Sequence, residues 1–109
     1  MKSVEIIMIP VQDRQKAKEF YLKLGFTLLV EASDGHGDTW IQLGIPGSDT
    51  SISLASFPGI ICETDNIAAE IHALKEKEIE VGITDDTPWG KFAWLKDMDG
   101  NSLCLHQKP

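Results

Sequence analysis

The sequence has little of what several common functions require. Only ten of its 109 residues are lysine or arginine, against seventeen aspartates and glutamates, so the formal net charge is −7. Binding to a nucleic-acid backbone needs clustered basic side chains, and this balance argues against it. No apolar run approaches the roughly 20 residues that span a bilayer. The sequence also lacks the basic segment followed by an apolar segment that begins a secretory signal peptide. We therefore expect a cytoplasmic protein with neither a nucleic-acid nor a membrane partner.

Metal-binding and nucleotide-binding signatures are also missing. The two cysteines, Cys62 and Cys104, lack the paired spacing of zinc motifs and fall in predicted strands, so buried free thiols are expected rather than a disulfide. The glycine-rich stretches do not have the spacing of a phosphate-binding loop. What is present is an ordinary globular composition, 42% hydrophobic and 25% charged, which predicts one domain with a core of its own.

The most informative stretch is a β-hairpin predicted over Lys91–Gln107. Asp97–Gly100 fits a type I turn followed by a left-handed glycine, a common hairpin loop. Because side chains alternate along a strand, this register separates an aliphatic core face from a second face that mixes aromatic and polar groups. The core face takes Ala93, Leu95, Leu103 and Leu105, and the second takes Phe92, Trp94, Lys96, Ser102, Cys104 and His106. Such a mixture is typical of a pocket wall.

Along the chain, one order of elements is predicted twice: a strand, a helix and three strands. In the first half the strands are Val4–Pro10, Phe26–Val30, Thr39–Ile45 and Thr50–Ser56, and the helix is capped by Asp13, carries Ala17, Phe20, Tyr21 and Leu24, and ends at Gly25. In the second half the strands are Gly59–Glu63, Ile79–Ile83 and the two of the hairpin. The second helix is capped by Asp65 and buried through Ile67, Ala68, Ile71 and Leu74, and Asp85–Gly90 is predicted to be a loop.

This pattern predicts an α+β fold in a single domain over residues 1–109, with module one at 1–56 and module two at 57–109. Each βαβββ module covers one face of its sheet with its helix. Two modules set edge to edge would form a curved mixed sheet, with helices on the convex side and a cleft on the concave side. The alternation of Trp40 and Gln42 with Ile41 and Leu43 is what such a cleft requires.

Short matching segments in a fixed order give the chain a family resemblance. They are Pro10-Val11-Gln12-Asp13, Lys16-Ala17, Phe20-Tyr21, Leu24-Gly25-Phe26, Glu63-Thr64-Asp65-Asn66-Ile67, Pro88-Trp89-Gly90 and Lys96-Asp97-Met98-Asp99-Gly100-Asn101. With these segments the sequence resembles the vicinal oxygen chelate superfamily, which includes glyoxalase I, extradiol dioxygenases and bleomycin-resistance proteins. The resemblance implies a homodimer, whose modules pair either within one chain or between two.

The resemblance also implies where a metal would bind. The metal enzymes of the family place ligands at positions that correspond to Ile6, Gln42, Gly59 and Cys104. Ile6 and Gly59 have no ligand atom, a glutamine oxygen is a weak ligand, and a catalytic zinc needs three protein ligands. No metal ligand and no cofactor are therefore expected, with a divalent metal kept as an alternative.

Two residues are candidates for catalysis. An unperturbed imidazole titrates near neutrality, so His106 would act as a general acid or base, or would sit idle at the end of the last strand. Cys104 would be a nucleophile if His106 lowered its pKa, or a small buried filler. His36 would lie over the cleft mouth or in solvent, and His72 is expected on the surface of the second helix.

Eight residues are predicted to bind a ligand: Ile6, Met8, Trp40, Gln42, Glu63, Phe92, Trp94 and Ser102. Trp40 and Trp94 would stack on a flat ligand or simply pack, and Trp89 would stack or cover the sheet edge. Gln42 would hydrogen-bond a ligand or a neighbouring side chain. Glu63 would be either the carboxylate of the pocket or a charge at its rim.

We therefore expect a protein that binds a small organic ligand in the cleft without the usual metal centre. One alternative is a metal-dependent lyase, isomerase or dioxygenase whose shifted site recruits His106, Cys104 and Glu63. A second is a metal-free enzyme with His106 as general base.

Overall fold

The structure, a computed structural model, describes all residues from 1 to 109. Its elements follow the βαβββ order twice, and the predicted α+β fold class with a mixed sheet of eight strands is confirmed. The strands are β1 (Ser3–Pro10), β2 (Thr27–Ser33), β3 (Thr39–Gly44), β4 (Ser51–Ala55), β5 (Gly59–Glu63), β6 (Asp85–Thr87), β7 (Gly90–Lys96) and β8 (Ser102–Gln107), and the helices are α1 (Arg14–Leu24) and α2 (Ile67–Glu76). No helix has the length and hydrophobicity needed to span a membrane.

The residues form two compact units. The N-terminal unit is Ile6–Pro58, and the C-terminal unit joins Met1–Glu5 to Gly59–Pro109. Residues 1–5, which the sequence pattern assigns to module one, contact the C-terminal unit instead because the Lys2 amide donates to the carbonyl of Glu63 at 2.8 Å.

In the N-terminal unit, β1 runs parallel to β4, and β3 lies antiparallel between β4 and β2. Ile41, Leu43 and Leu54 are buried together, and Ala17 and Tyr21 of α1 pack against them. Phe20 and Leu24, at the same helical spacing, are 60% and 62% exposed, so α1 buries a narrower stripe than the spacing suggests.

In the C-terminal unit, β5 runs parallel to β8, and β7 lies antiparallel between β8 and β6. Ile67 and Leu74 of α2 pack on Ala93 and Leu105, with Ile71 partly buried beside them. Ala68 is exposed rather than buried as predicted, because it lies toward the flank of the helix.

The predicted hairpin register is confirmed along its whole length. Ala93 pairs with Leu105, Trp94 with Cys104 and Phe92 with His106. The Gly100 amide donates to the Asp97 carbonyl at 3.1 Å, and Gly100 is left-handed with φ 81°.

Two predictions for the second helix and its flank are wrong. The N-cap is Asn66, whose side chain accepts from the Ala69 amide at 3.0 Å, whereas Asp65 pairs with Lys2 at 3.2 Å. No strand forms over Ile79–Ile83; the strand lies at Asp85–Thr87, in the predicted loop. The alternating apolar residues suggested a half-buried strand, but Ile83 is 88% exposed.

The two helices end in the same way with different residues. Gly25 (φ 115°) and Glu78 (φ 63°) are both left-handed, and the next amide, that of Phe26 or Ile79, donates five residues back, to Tyr21 or Leu74. This is a Schellman motif, in which the left-handed position favours glycine. Glu78 therefore holds a backbone conformation that a side chain disfavours.

We predict that Glu78→Gly raises the free energy of unfolding by about 0.5–1 kcal/mol, because relief of the left-handed strain outweighs the chain entropy of glycine. Gly25→Ala should lower it by about 1 kcal/mol. Urea denaturation measures both changes. Lys77→Gly is the matched control: Lys77 has φ −90°, so glycine should destabilise there. A Glu78→Gly variant that is no more stable than Lys77→Gly would contradict the prediction.

Candidate functional site

The face of the N-terminal unit opposite α1 carries the residues predicted to bind a ligand there. Strand pairs align Gln42 and Met8 with Ser53, and Gly44 and Ile6 with Ser51. We call the set Ile6, Met8, Trp40, Gln42, Ser51 and Ser53 the N-terminal face. Ile6 and Met8 are buried, and Trp40 and Gln42 are partly exposed.

A chain of hydrogen bonds crosses this face. The Trp40 Nε1 donates to Gln42 Oε1 at 3.1 Å, and Gln42 Nε2 donates to Ser51 Oγ at 2.8 Å. Gln42 was predicted to hydrogen-bond either a ligand or a neighbouring side chain, and the structure shows bonds to the neighbouring side chains Trp40 and Ser51. These bonds also fix the orientation of the Trp40 ring.

Ser53, which the sequence analysis missed, lies in the middle of the same face. It is 0% exposed, and no protein group hydrogen-bonds to its Oγ. An unpaired buried hydroxyl costs about 1–3 kcal/mol, so it is uncommon in a folded protein. The alternation of Ser51 and Ser53 with Ile52 and Leu54 was the signal that could have identified it.

The corresponding face of the C-terminal unit carries the other predicted residues. Register pairs Glu63 with His106, Ile61 with Cys104 and Trp94 with Cys104. We call the set Ile61, Glu63, Phe92, Trp94, Ser102, Cys104 and His106 the C-terminal face. Phe92, Trp94 and Ser102 are partly buried within it.

His106 is held on both ring nitrogens. Nδ1 lies 2.8 Å from Glu5 Oε1, and Nε2 lies 2.8 Å from the carbonyl oxygen of Trp89. The ring stacks on Phe92 with 4.3 Å between centroids and 6° between planes. A carboxylate and a carbonyl only accept hydrogen bonds, so the arrangement is fully satisfied only when both nitrogens carry protons.

The prediction of His106 as a general base is therefore not supported by this geometry, since no ring lone pair faces a substrate position. Burial, the largest single influence, lowers the pKa of His106, but the bonds to Glu5 and Trp89 and the charge of Glu5 raise it above its ordinary value. Glu5 was missed because alternation along β1 directs attention to Ile6 and Met8, and its partner is 101 residues away.

Cys104 is unsuited to nucleophilic chemistry. It is 0% exposed, and burial raises the pKa of its thiol to about 12. Of the two roles predicted for Cys104, these observations favour the small buried filler over the nucleophile, because His106 is engaged with Glu5 and Trp89. Both cysteines are free and buried, as expected.

Glu63 lies among cations at the end of β5. Lys108 Nζ is 2.8 Å and Lys2 Nζ 3.4 Å from its carboxylate. The hydrogen bond from Lys108 and the charges of both lysines lower the pKa of Glu63, against an opposing effect of burial. These contacts favour the rim charge over the carboxylate of a pocket.

The remaining candidates lie away from both faces. His36 is an exposed loop residue, and His72 is on the surface of α2, 3.2 Å from Glu76. Trp89 is 54% exposed in the turn between β6 and β7. A surface cavity of about 430 Å³ lies at the start of α1, where the Arg14 Nη1 donates to the carbonyl of Thr39 at 2.6 Å. None of the predicted site residues lines it.

The side chains do not fit a metal centre. Ile6 and Gly59 offer no donor atom, Gln42 is committed to Trp40 and Ser51, and Cys104 holds its proton. No group of three or more histidine, cysteine, aspartate or glutamate side chains stands close enough together to hold a metal ion. The donor set therefore does not suit the three protein ligands of a catalytic zinc site.

Comparisons with known proteins give the family. A model of the Glyoxalase/Bleomycin resistance protein/Dioxygenase superfamily matches residues 3–105. The chain belongs to this superfamily, and the resemblance drawn from its short segments is confirmed.

Individual relatives span the whole chain. TnmS3, an antibiotic binding protein from Streptomyces sp. CB03234, is 34% identical, with 100% of this chain and 98% of that chain covered and a TM-score of 0.48. The uncharacterized protein YetH of Bacillus subtilis (strain 168) is 27% identical, covering 98% and 99% of the two chains. Methylmalonyl-CoA epimerase from Mycobacterium tuberculosis is 19% identical with a TM-score of 0.84 over 97% of this chain and 87% of that chain, a likeness of fold alone.

We predict that His106 stabilises the fold more in acid than in alkaline solution. Its folded pKa is raised, so its contribution is complete below the unfolded value of about 6.5 and is lost as pH rises through the folded value. His106→Gln should cost about 1–3 kcal/mol at pH 6 and less at pH 9. Urea denaturation at both pH values measures this, with His72→Gln as control. An equal cost of His106→Gln at both pH values would refute it.

We also predict that neither thiol reacts in the folded protein. With a pKa of about 12, only about one Cys104 in ten thousand is a thiolate at pH 8. Iodoacetamide should leave native protein unlabelled over a time in which urea-unfolded protein is alkylated at both cysteines, as mass spectrometry reads out. Rapid single labelling at Cys104 under native conditions would contradict this.

Proposed function

We propose that this protein binds a small organic ligand on the faces opposite its helices, without the metal centre of its superfamily. The observation that carries the proposal is the N-terminal face, where Trp40, Gln42 and Ser51 are linked by hydrogen bonds beside the apolar Ile6 and Met8. A mostly apolar surface with a few fixed polar groups is the usual composition of a ligand site. The proposal of ligand binding therefore rests on the composition of the N-terminal face and not on a reactive side chain.

The predicted residues have distinct roles in this proposal. Ile6 and Met8 supply apolar contact, Trp40 stacks on a flat part of the ligand, and Gln42 orients a polar group. On the C-terminal face, Phe92, Trp94 and Ser102 provide contact area, with Glu63 as a charge at the rim.

Superfamily membership alone leaves binding and catalysis both open, because the family description joins glyoxalases and dioxygenases with bleomycin resistance proteins. The side chains that could serve as metal ligands favour ligand binding over metal-dependent catalysis. A shifted metal site would need His106, Cys104 and Glu63, and each is occupied: His106 by Glu5, Cys104 by its proton, and Glu63 by two lysines. A metal-free enzyme with His106 as base would need a free ring nitrogen.

The proposal includes a cytoplasmic location and a homodimer, of which the family resemblance implies the homodimer. Sedimentation equilibrium measures the assembly: a mass of twice 12.1 kDa is expected, and a monomer at all concentrations would contradict it.

We predict that protein purified without chelator contains far less than one metal ion per chain by elemental analysis. A thermal-shift screen of organic compounds, including bleomycin, should give stabilising compounds whose effect is the same with EDTA or with added zinc, nickel, iron or manganese. Near-stoichiometric metal would overturn the metal-free proposal in favour of the shifted site.

The same compounds test the N-terminal face. Trp40→Ala should weaken their binding about fivefold to 150-fold, because about 1–3 kcal/mol of contact is lost when a stacking ring is removed. Trp89→Ala, at an exposed ring in a turn, is the matched control and should have no effect. Equal loss with both variants would contradict the assignment of the site.

A further inference from the structure

Ser53 is the polar group on the N-terminal face whose hydrogen bonds are not made within the protein. Trp40, Gln42 and Ser51 are hydrogen-bonded to one another, whereas the Ser53 Oγ is fully buried with no protein partner. A hydroxyl can donate one hydrogen bond and accept two. The free-energy cost of burying the unpaired Ser53 hydroxyl is offset if a bound molecule completes these hydrogen bonds.

The neighbours of Ser53 within the sheet carry no charge. Strand register puts Val30, Gln42, Ser53 and Met8 in one row across the sheet, and Thr27, Gly44, Ser51 and Ile6 in the next. None of these side chains is ionisable, and Ser53, Met8 and Ile6 are buried. A charged ligand group would lose its hydration here without gaining a counter-ion, which is strongly unfavourable.

We propose that Ser53 is the hydrogen-bonding anchor for an uncharged polar group, of the carbonyl or amide class, on an otherwise apolar ligand. This inference rests on the proposed function and names the chemistry of its ligand. Access is through Met8, the cross-strand neighbour of Ser53 on β1, because an unbranched methionine side chain changes rotamer easily.

Three small probes of similar shape separate the parts of this proposal: benzamide, benzoate and toluene, each titrated into 15N-labelled protein. Benzamide should shift the amide resonances of Ser53 and Met8 saturably, and benzoate should bind at least tenfold more weakly. Ser53→Ala should weaken benzamide about threefold to tenfold and leave toluene unchanged. Ser56→Ala, at an exposed serine just beyond β4, should leave both unchanged.

The ligand-free protein gives an independent readout. Ser53→Ala should be as stable as the wild type or more stable, since it removes an unpaired hydroxyl, and its melting temperature should not fall. Ser53→Cys keeps the volume with a weak hydrogen-bonding group and should repeat the selective loss of benzamide binding if the alanine variant folds poorly.

The outcomes distinguish a failure of the Ser53 anchor from a failure of the proposed ligand-binding function. If benzamide and toluene both bind this face and Ser53→Ala weakens them equally or not at all, the role of Ser53 is wrong and the proposed function stands. If benzoate binds more tightly than benzamide, the uncharged class is wrong. If none of the probes moves these resonances while screened compounds bind elsewhere, both the anchor and the N-terminal face as the site are refuted.

Discussion

The alternation of side chains along a β-strand is the constraint on which this structure depends. In each unit a single helix covers one side of the strands, so every second residue is committed to an aliphatic core: Ile41, Leu43 and Leu54 under α1, Ala93 and Leu105 under α2. The intervening residues are then free to carry other chemistry. A shift of one residue in register would bury Gln42 against α1 and expose Leu43, which is why the register is strongly specified.

The two faces left by this alternation differ in electrostatics. The N-terminal face has only neutral groups, and its polar atoms are linked into a short chain with Ser53 left over. The C-terminal face has the His106 imidazole, which is held by the carboxylate of Glu5, and Glu63, which is paired with Lys2 and Lys108. Charges on that face are already paired, so they contribute to stability and offer little to a ligand. The neutral face is therefore the better place for an organic molecule.

Much of this arrangement could be predicted from local sequence. The turn at Asp97–Gly100 fixes the register of the last hairpin, and the apolar spacing identifies the cores. The failures have physical reasons: Asn66 caps α2 because Asp65 pairs with Lys2, and no strand forms over Ile79–Ile83, where Ile83 is 88% exposed. The partnership of Glu5 with His106 depends on two strands far apart in sequence, and no local pattern carries that information. The pairing decides the chemistry of His106, so its predicted role as a base could not be tested by spacing alone.

The central claim is that an organic ligand binds the N-terminal face without a metal. Methyl NMR of protein labelled at its three methionines tests it most directly, because Met8 lies on that face and Met98 is 97% exposed in the hairpin turn. On addition of compounds that raise the melting temperature, the account predicts a saturable shift of the Met8 methyl resonance, none at Met98, and the same result with EDTA. A compound that binds tightly while the Met8 resonance stays unmoved, or whose binding disappears with EDTA, would contradict the account.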